Sequence, residues 1–275
     1  MRQRAISAAL LVPVLLLVLA IGGPVLAVAI VLVTALAALE VFRLLRAAGY
    51  PALPALGTAL ALAVVVDAAF PGVLEGSGLL LGAIGVVLVA IAAFARPDPH
   101  DGVAAWMATI FGAVYVSLLA FLLRLGHAAP AVPPDAPASW LGAERSWILL
   151  LVLAVWSYDT GAYLVGKRFG RTKFLTHISP SKTIEGLIGG LVATTAVVGL
   201  LLWAVGQQPI HALILGPLLA AAAQAGDLAE SMIKRAAGVS DSGTLIPGHG
   251  GILDRVDSFL FAAPVLTLYV VAAFR

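Results

Sequence analysis

Residues 5–42 read AISAALLVPVLLLVLAIGGPVLAVAIVLVTALAALEVF, and this stretch decides the fold class. Glu40 is its single charged residue, and Gly22-Gly23-Pro24 divides it into two apolar runs. Each run has about the 20 residues that an α-helix needs to cross a bilayer. Because lipid offers no hydrogen-bond partner to the backbone, both runs are expected to be helical. Since the second run follows at once, the first is interpreted as an uncleaved span.

The rest of the chain repeats this pattern. Of its 275 residues, 61% are hydrophobic and 11% are charged, whereas an ordinary soluble domain has about 25% charged residues. We therefore predict an all-α, polytopic membrane protein with about nine transmembrane helices. The apolar segments lie at residues 5–22, 24–42, 52–70, 77–95, 103–123, 146–166, 184–205, 209–226 and 256–274.

The distribution of Lys and Arg predicts the orientation. With a cytoplasmic N-terminus and nine alternating spans, 13 of the 16 Lys and Arg residues fall on the cytoplasmic side, in line with the positive-inside rule. The loops at 167–183 and 227–255 then face the cytoplasm, where nucleotides are found. The expected location is the bacterial inner (cytoplasmic) membrane, with the active site facing the cytoplasm.

The sequence excludes cysteine chemistry and argues against nucleic-acid binding. The chain has no cysteine, which excludes disulfides, a thiolate nucleophile and Cys-ligated metal sites. It has no Lys/Arg-rich run with interleaved aromatic residues, so nucleic acid is not an expected partner. Glu40 and Asp67, near the ends of apolar segments, are interpreted as interfacial residues.

Charge and glycine return together between Asp227 and Asp257. Asp227, Glu230, Ser231 and Lys234 have the i, i+3, i+4, i+7 spacing that places side chains on one helix face. Mg²⁺ commonly takes one or two carboxylates together with substrate phosphates. Asp227 is therefore one predicted metal ligand, in a cluster suited to nucleotidyl transfer.

A glycine-rich turn follows, from Pro247 to Gly251. Its glycines allow the backbone to approach a ligand and to direct N–H groups at an anion. Asp254, the second predicted metal ligand, begins the last span, and Lys234, Arg235 and Arg255 could balance polyphosphate charge. The alternative interpretation is that these charges pair at the interface and keep a loop soluble.

A second polar cluster follows the sixth predicted span. Asp159 lies near the end of that span, and an acid there is costly unless it faces protein, water or a ligand. The loop after it carries Lys173 and the run Ser179-Pro-Ser-Lys182-Thr183-Ile-Glu185-Gly. Contact with anionic lipid head groups is the alternative role for the basic residues. Thr183 and Glu185 also suit the first turn of a helix.

Residues 226–257 resemble the signature of the phosphatidate cytidylyltransferases, also called CDP-diacylglycerol synthases. The matching runs are Gly226-Asp227-Leu-x-Glu230-Ser231, Ser231-Met-Ile-Lys234-Arg235, Asp241-Ser-Gly243 and Leu245-Ile-Pro-Gly-His249-Gly-Gly-Ile-Leu-Asp254-Arg-Val-Asp257. The runs at 159–163 and 179–186 resemble two further motifs of the family. The family usually has Lys before Asp241, where this chain has Ser240; Lys173 or Lys182 could supply that charge.

The resemblance implies an enzyme that transfers the cytidylyl group of CTP to phosphatidic acid, giving CDP-diacylglycerol and pyrophosphate. It implies dependence on Mg²⁺ and allows a monovalent cation such as K⁺ to share the site. Membrane lipid is an expected partner, and a homodimer is left open. The predicted catalytic residues are Asp227, Lys234, Asp254 and Lys182. Substrate binding is assigned to Ser231, Arg235, His249, Gly250, Gly251, Arg255, Asp159, Lys173, Ser179 and Thr183, and support of the ligands to Glu230, Asp257, Asp241 and Glu185.

Two divisions of the chain are predicted: residues 1–145 as scaffold or lipid entry path, and residues 146–275 as the catalytic half. Another CTP-dependent lipid enzyme, such as a polyprenol kinase or a cytidylyltransferase for a different lipid phosphate, is an alternative. A transporter would instead place functional charges near the bilayer midplane. A CDP-alcohol phosphotransferase would need an Asp-Gly-x-x-Ala-Arg run, which the chain lacks.

Overall fold

The structure is a computed structural model that describes residues 2–70 and 78–274, without the side chains of residues 2–6, 8 and 79. Within these limits it is helical and has no strand. Some features used in the sequence analysis lie outside the described residues. These are the side chains of Arg2, Arg4 and Arg275, which were counted in the distribution of Lys and Arg, and residue 77, where one apolar segment was predicted to begin. The helices are α1 (Arg2–Ile21), α2 (Gly23–Ala47), α3 (Pro54–Ala69), α4 (Gly78–Ala93), α5 (Pro99–Ser117), α6 (Ala120–Ala128), α7 (Ala143–Phe169), α8 (Ile184–Ala204), α9 (Ala212–Ala236) and α10 (Leu253–Ala273).

Several of these helices can cross a membrane. Among the described residues, six stretches are long and apolar enough: Gly23–Ala47, Pro99–Ala128, Ala143–Phe169, Ile184–Ala204, Pro209–Ala236 and Leu253–Ala273. Shorter apolar helices occur at Ala9–Ile21, Pro54–Ala69 and Leu80–Ala93. The all-helical membrane protein is therefore confirmed, whereas nine crossings and a cytoplasmic N-terminus stay predictions.

One predicted segment differs in detail. Residues 103–123 were expected to form a single helix, but α5 ends at Ser117 and α6 begins at Ala120. Ser117 Oγ donates to Val114 O at 2.9 Å, the kind of side-chain bond to the preceding turn that competes with the helical ladder. The break lies inside the candidate span Pro99–Ala128.

The chain divides into two compact units. The first comprises the residues up to Leu123 together with Met232–Val256. In it, Phe42 on α2 is fully buried. A Cβ atom at Gly57 on α3 or at Gly112 on α5 would lie 2.1 Å or 2.6 Å from the Phe42 ring. These two glycines therefore let α3 and α5 close onto the ring, as small residues do between membrane helices.

The second unit comprises Arg124–Ser231 together with the residues from Asp257 onward. In it, α7 and α8 pack closely because α8 carries glycines where the helices meet. A Cβ at Gly189 would lie 2.4 Å from Val165, and one at Gly190 would lie 2.6 Å from the ring of Tyr158. The start of α8 is fixed by Thr183, whose Oγ1 accepts the Gly186 N–H at 3.1 Å, a common helix cap.

Candidate active site

In the second unit, a lysine from the loop before α8 meets an aspartate on α9. Lys182 Nζ lies 2.5 Å from Asp227 Oδ2, and Ser231 Oγ, one turn along α9, lies 3.4 Å from Asp227 Oδ1. The Lys182 side chain is 16% exposed and that of Asp227 is 33% exposed. The aspartate is therefore paired with a cation, yet its carboxylate still has room for another ligand.

The loop that carries Lys182 is held by its own polar residues. Glu185 accepts the backbone N–H groups of Arg171 and Thr172, each at 3.1 Å, and Lys173 Nζ donates to Ser181 O at 3.0 Å. Together with the Thr183 cap, these bonds fix the chain on both sides of Lys182. Glu185, Lys173 and Thr183 thus have structural partners, and their predicted roles towards substrate stay predictions.

In the first unit, the second lysine–aspartate pair joins α9 and α10. Lys234 Nζ donates to Asp254 Oδ1 at 2.7 Å, and both side chains are largely buried. Asp254 Oδ2 accepts three more bonds, from Ser242 N at 2.9 Å, Ser242 Oγ at 2.8 Å and Gly251 N at 2.7 Å. A carboxylate offers about four acceptor positions, two at each oxygen. Asp254 Oδ2 is therefore fully engaged, whereas the one bond found at Oδ1 among the described residues comes from Lys234.

The glycine-rich turn is wrapped tightly around Asp254. Gly250 has a φ of 80°, and a Cβ there would lie 2.4 Å from Asp254 Oδ2. The turn is closed by Ile246 N, which donates to Gly250 O at 2.9 Å. Nδ1 of His249 is buried and has no hydrogen-bond partner among the described residues. The turn therefore encloses a polar side-chain atom that has no hydrogen-bond partner among the described residues.

The position of Glu40 in the structure differs from the one expected from the sequence. Glu40 and Asp67 are expected to be interfacial, but the protein buries both, leaving Glu40 5% and Asp67 6% exposed. Glu40 accepts bonds from Ile252 N at 3.0 Å and Leu253 N at 2.8 Å, and Ser242 Oγ lies 2.9 Å from its Oε2. The signal was present in the sequence, because Glu40 is the one acid within an otherwise apolar run. Such a residue is expensive in a membrane helix unless it has partners. Ser242, named only as part of a motif, also proves central.

The remaining predicted site residues are distributed around these two clusters. In the first unit, Asp241 Oδ2 accepts the Ser240 hydroxyl at 2.6 Å, so Ser240 holds Asp241. Glu230 and Asp257 belong to the second unit. Glu230 is buried, and Asp257 Oδ1 accepts the Ser258 N–H at 2.6 Å. The side chains of three others are exposed, those of Asp159, Arg235 and Arg255. Ser179 is half-buried in the loop before α8.

The oxygen ligands suit magnesium better at one aspartate than at the other. No group of three or more His, Cys, Asp or Glu side chains in the described part of the chain could hold a metal ion alone. Mg²⁺ does not need such a group, since it keeps waters and binds substrate phosphates. The partly exposed Asp227 carboxylate fits this mode better than that of Asp254, which is largely buried and already accepts bonds at both oxygens. Sharing of a metal by Asp227 and Asp254 stays a prediction.

The first testable prediction concerns Gly226, which precedes Asp227 on α9. A Cβ at Gly226 would lie 2.3 Å from the backbone O of Asp257, and backbone cannot move aside cheaply. Gly226→Ala is expected to destabilise the protein by about 1–3 kcal/mol, measured as a lower thermal unfolding temperature in detergent. Gly199→Ala is the matched control, because its Cβ would meet only Ala212 Cβ at 3.5 Å. Equal stability of the two variants would contradict the close approach.

The apolar spans and the two lysine–aspartate pairs define a polytopic membrane protein with polar sites suited to phosphates. The chain matches the cytidylyltransferase family over residues 2–273, and it therefore belongs to that family. A phosphatidate cytidylyltransferase of Synechocystis is 36% identical over 299 residues, covering 98% of this chain and 96% of the relative. One of Staphylococcus aureus (strain COL) is 48% identical over 127 residues, 46% of this chain and 49% of the relative. Phosphatidate cytidylyltransferase 4 of Arabidopsis thaliana is 44% identical over 178 residues, 59% of this chain and 45% of the relative.

Proposed function

We propose that this protein is a phosphatidate cytidylyltransferase, which transfers the cytidylyl group of CTP to phosphatidic acid. The observation that carries the proposal is the similarity to the Synechocystis enzyme over almost the full length of both chains. The lysines and aspartates that the sequence singles out are engaged with one another in the structure, Lys182 with Asp227 and Lys234 with Asp254. Neither the family nor the relatives named above favour a polyprenol kinase or a transporter.

The reaction is a displacement at phosphorus. A phosphate oxygen of phosphatidic acid forms a bond to the α-phosphorus of CTP, while the bond from that phosphorus to the bridging oxygen of the β-phosphate breaks. The bridging oxygen keeps the electron pair and leaves as part of pyrophosphate. Because the attacking phosphate monoester is already anionic near neutral pH, the step needs no strong general base. Its main difficulty is the approach of two anions, which positive charge and aimed N–H groups relieve.

The two lysines are the proposed sources of positive charge. Each ammonium group is held by one carboxylate, so its position is fixed before a phosphate arrives. Lys182 lies in the loop just before α8 in the second unit, and Lys234 lies in the last turn of α9 in the first unit. Preorganised charge of this kind costs little reorganisation during the reaction. Arg235 and Arg255, both exposed, would add positive field.

The glycine-rich turn is the proposed seat for phosphate oxygens. His249 contributes the buried Nδ1 atom that has no protein partner among the described residues, and a phosphate oxygen could supply that partner. Gly248 and Gly250 have φ values of 77° and 80°, a backbone conformation that favours glycine. Any side chain at Gly250 would also collide with Asp254.

Magnesium is proposed as the metal, with Asp227 as its protein ligand. The support is the chemistry of the group: a carboxylate that is one-third exposed and has Ser231 Oγ beside it. When bound, Mg²⁺ would neutralise the negative charge of the triphosphate and of the leaving pyrophosphate. Asp254 as a second ligand and K⁺ as a companion ion belong to the same proposal. The proposed location is the inner membrane, with the site facing the cytoplasm.

The test is an assay of the full chain in detergent with α-labelled CTP, phosphatidic acid and Mg²⁺. We expect labelled CDP-lipid and pyrophosphate, loss of both products when EDTA removes the metal, and recovery when Mg²⁺ is restored. Parallel reactions contain a polyprenol or a polyprenyl phosphate in place of phosphatidic acid. Release of CDP with polyprenol would instead identify a kinase, and a preference for polyprenyl phosphate would identify a cytidylyltransferase for another lipid.

A further inference from the structure

We infer that Glu40 is a positioning residue, which orients Asp254 and the glycine-rich turn from helix α2. Glu40 and Asp254 both belong to the first unit. Ser242 Oγ lies 2.9 Å from Glu40 Oε2 and 2.8 Å from Asp254 Oδ2, so the hydroxyl stands between the two carboxylates and can donate its single hydrogen to either of them. The expected effect of Glu40 on kcat rests on the proposed function, whereas its expected effect on the order of the loop does not.

Glu40 also caps the helix that carries Asp254. The first N–H groups of a helix have no carbonyl partner within it, and α10 begins at Leu253. Glu40 Oε2 accepts Leu253 N at 2.8 Å, and Glu40 Oε1 accepts Ile252 N at 3.0 Å. A carboxylate at a helix N-terminus is further stabilised by the helix dipole. The start of α10 is thus fixed by a side chain more than 200 residues earlier.

Two glycines allow the loop to enclose the carboxylate. A Cβ at Gly243 would lie 2.7 Å from Glu40 Oε1, and one at Gly251 would lie 2.3 Å from Glu40 Oε2. The backbone therefore approaches Glu40 from both ends of the loop that contains the glycine-rich turn. A loop closed around a buried acid in this way depends on that acid, because its N–H groups would otherwise lose their acceptor.

The consequence for the reaction is indirect. Ser242 and Gly251 belong to this loop, and their backbone N–H groups donate to Asp254 Oδ2. A shift of the loop would therefore move these donors relative to Asp254. Asp254 in turn holds Lys234. Glu40 does not contact either substrate; it acts by holding Asp254 and, through it, Lys234. The residues before 145, which we expected to form scaffold or lipid entry, thus contribute one side chain to the order of the site.

The experiment compares Glu40→Gln, Glu40→Ala and Glu40→Asp in the full chain purified in detergent. Glutamine keeps the shape but offers one acceptor oxygen and turns an NH₂ group towards N–H donors. We expect hydrogen exchange at the Ile252 and Leu253 amides to rise about tenfold or more in Glu40→Gln, since a lost bond to a charged group costs about 1.5–3 kcal/mol. We expect kcat to fall about 10–100-fold, with little change in the KM for phosphatidic acid. Glu40→Asp, which keeps the charge, is expected to retain more activity than Glu40→Gln.

Thr34→Val is the matched control, on the same helix. Thr34 is fully buried, and its hydroxyl bonds only one turn back, to Ile30 O at 2.8 Å. We expect this variant to leave both amide exchange and kcat close to those of the unaltered protein. Unchanged exchange at residues 252 and 253 in the Gln and Ala variants would overturn the inference, as would equal effects in Thr34→Val. If the chain made no CDP-lipid at all, the proposed function would fail, and the exchange measurement would still decide the role of Glu40.

Discussion

Replacing Asp227 with asparagine is expected to lower the rate of CDP-lipid formation by about 10³-fold. The substitution keeps the size of the side chain and removes the charge that pairs with Lys182 at 2.5 Å. Lys182 is only 16% exposed, so it would be left with an uncompensated charge in a poorly solvated position. The proposed Mg²⁺ ligand would be lost in the same step. The measurement is the initial rate of labelled CDP-lipid formation as a function of Mg²⁺ concentration.

A double-mutant cycle separates the two functions of Asp227. Lys182→Met removes the cation, and the double variant removes both partners. If the pair acts as a unit, the double variant should be little worse than the worse single variant, because the effects of coupled residues do not add. Glu144→Gln, at the first turn of α7 in the same unit, serves as the control for loss of a carboxylate and should stay active. Full activity of Asp227→Asn would exclude Asp227 from the chemistry.

Asp254→Asn is expected to cause a loss of activity about as large, near 10³-fold, for a different reason. Asp254 accepts four bonds through its two oxygens. Asparagine has one acceptor oxygen, so its NH₂ group would face either Lys234 or the N–H groups of the loop. Breaking a buried pair of this kind costs about 3–5 kcal/mol. A lower thermal unfolding temperature should therefore accompany the loss of CDP-lipid formation. A smaller decrease is expected for Asp227→Asn, because the Asp227 side chain is 33% exposed and that of Asp254 is 6% exposed.

Ser242→Ala provides the graded comparison for Asp254. It removes the hydroxyl but keeps the backbone N–H that donates to Asp254 Oδ2, so we expect a smaller loss than in Asp254→Asn. Asp101→Asn, at an exposed position in the first turn of α5, is the control within the same unit. An Asp254→Asn protein with unchanged activity and unfolding temperature would refute the role assigned to this carboxylate.

Local patterns in the sequence were sufficient for part of the site. The spacing of Asp227, Ser231 and Lys234 predicted one face of a helix, and α9 carries all three. Thr183 and Glu185 suited a helix start, and α8 begins at Ile184 with Thr183 as its cap. These predictions succeed because helical spacing and capping depend on residues within four positions of each other.

Partners distant in the chain could not be predicted in the same way. Nothing within four residues of Glu40 indicates that it accepts the Leu253 N–H, and the sequence alone left Asp254 as an open metal ligand rather than a carboxylate with four donors. The break between α5 and α6 was missed because an apolar run reports burial in lipid and not the continuity of the helix. The partners of Glu40 and Asp254 arise from packing between distant segments, which a local pattern does not encode.

The sequence by itself determined that this protein is suited to a lipid bilayer, that it is helical and which family it belongs to. Long apolar runs with few charges indicate helices that lie in lipid. A family motif can be recognised from the order of its residues alone, without knowledge of what surrounds them in the fold. The tertiary structure decided which donors each carboxylate receives, because hydrogen bonds depend on distances of about 3 Å between groups that the chain separates by as many as 213 residues. That is why Glu40 was misjudged from the sequence and only the fold revealed its contact with the loop around Asp254.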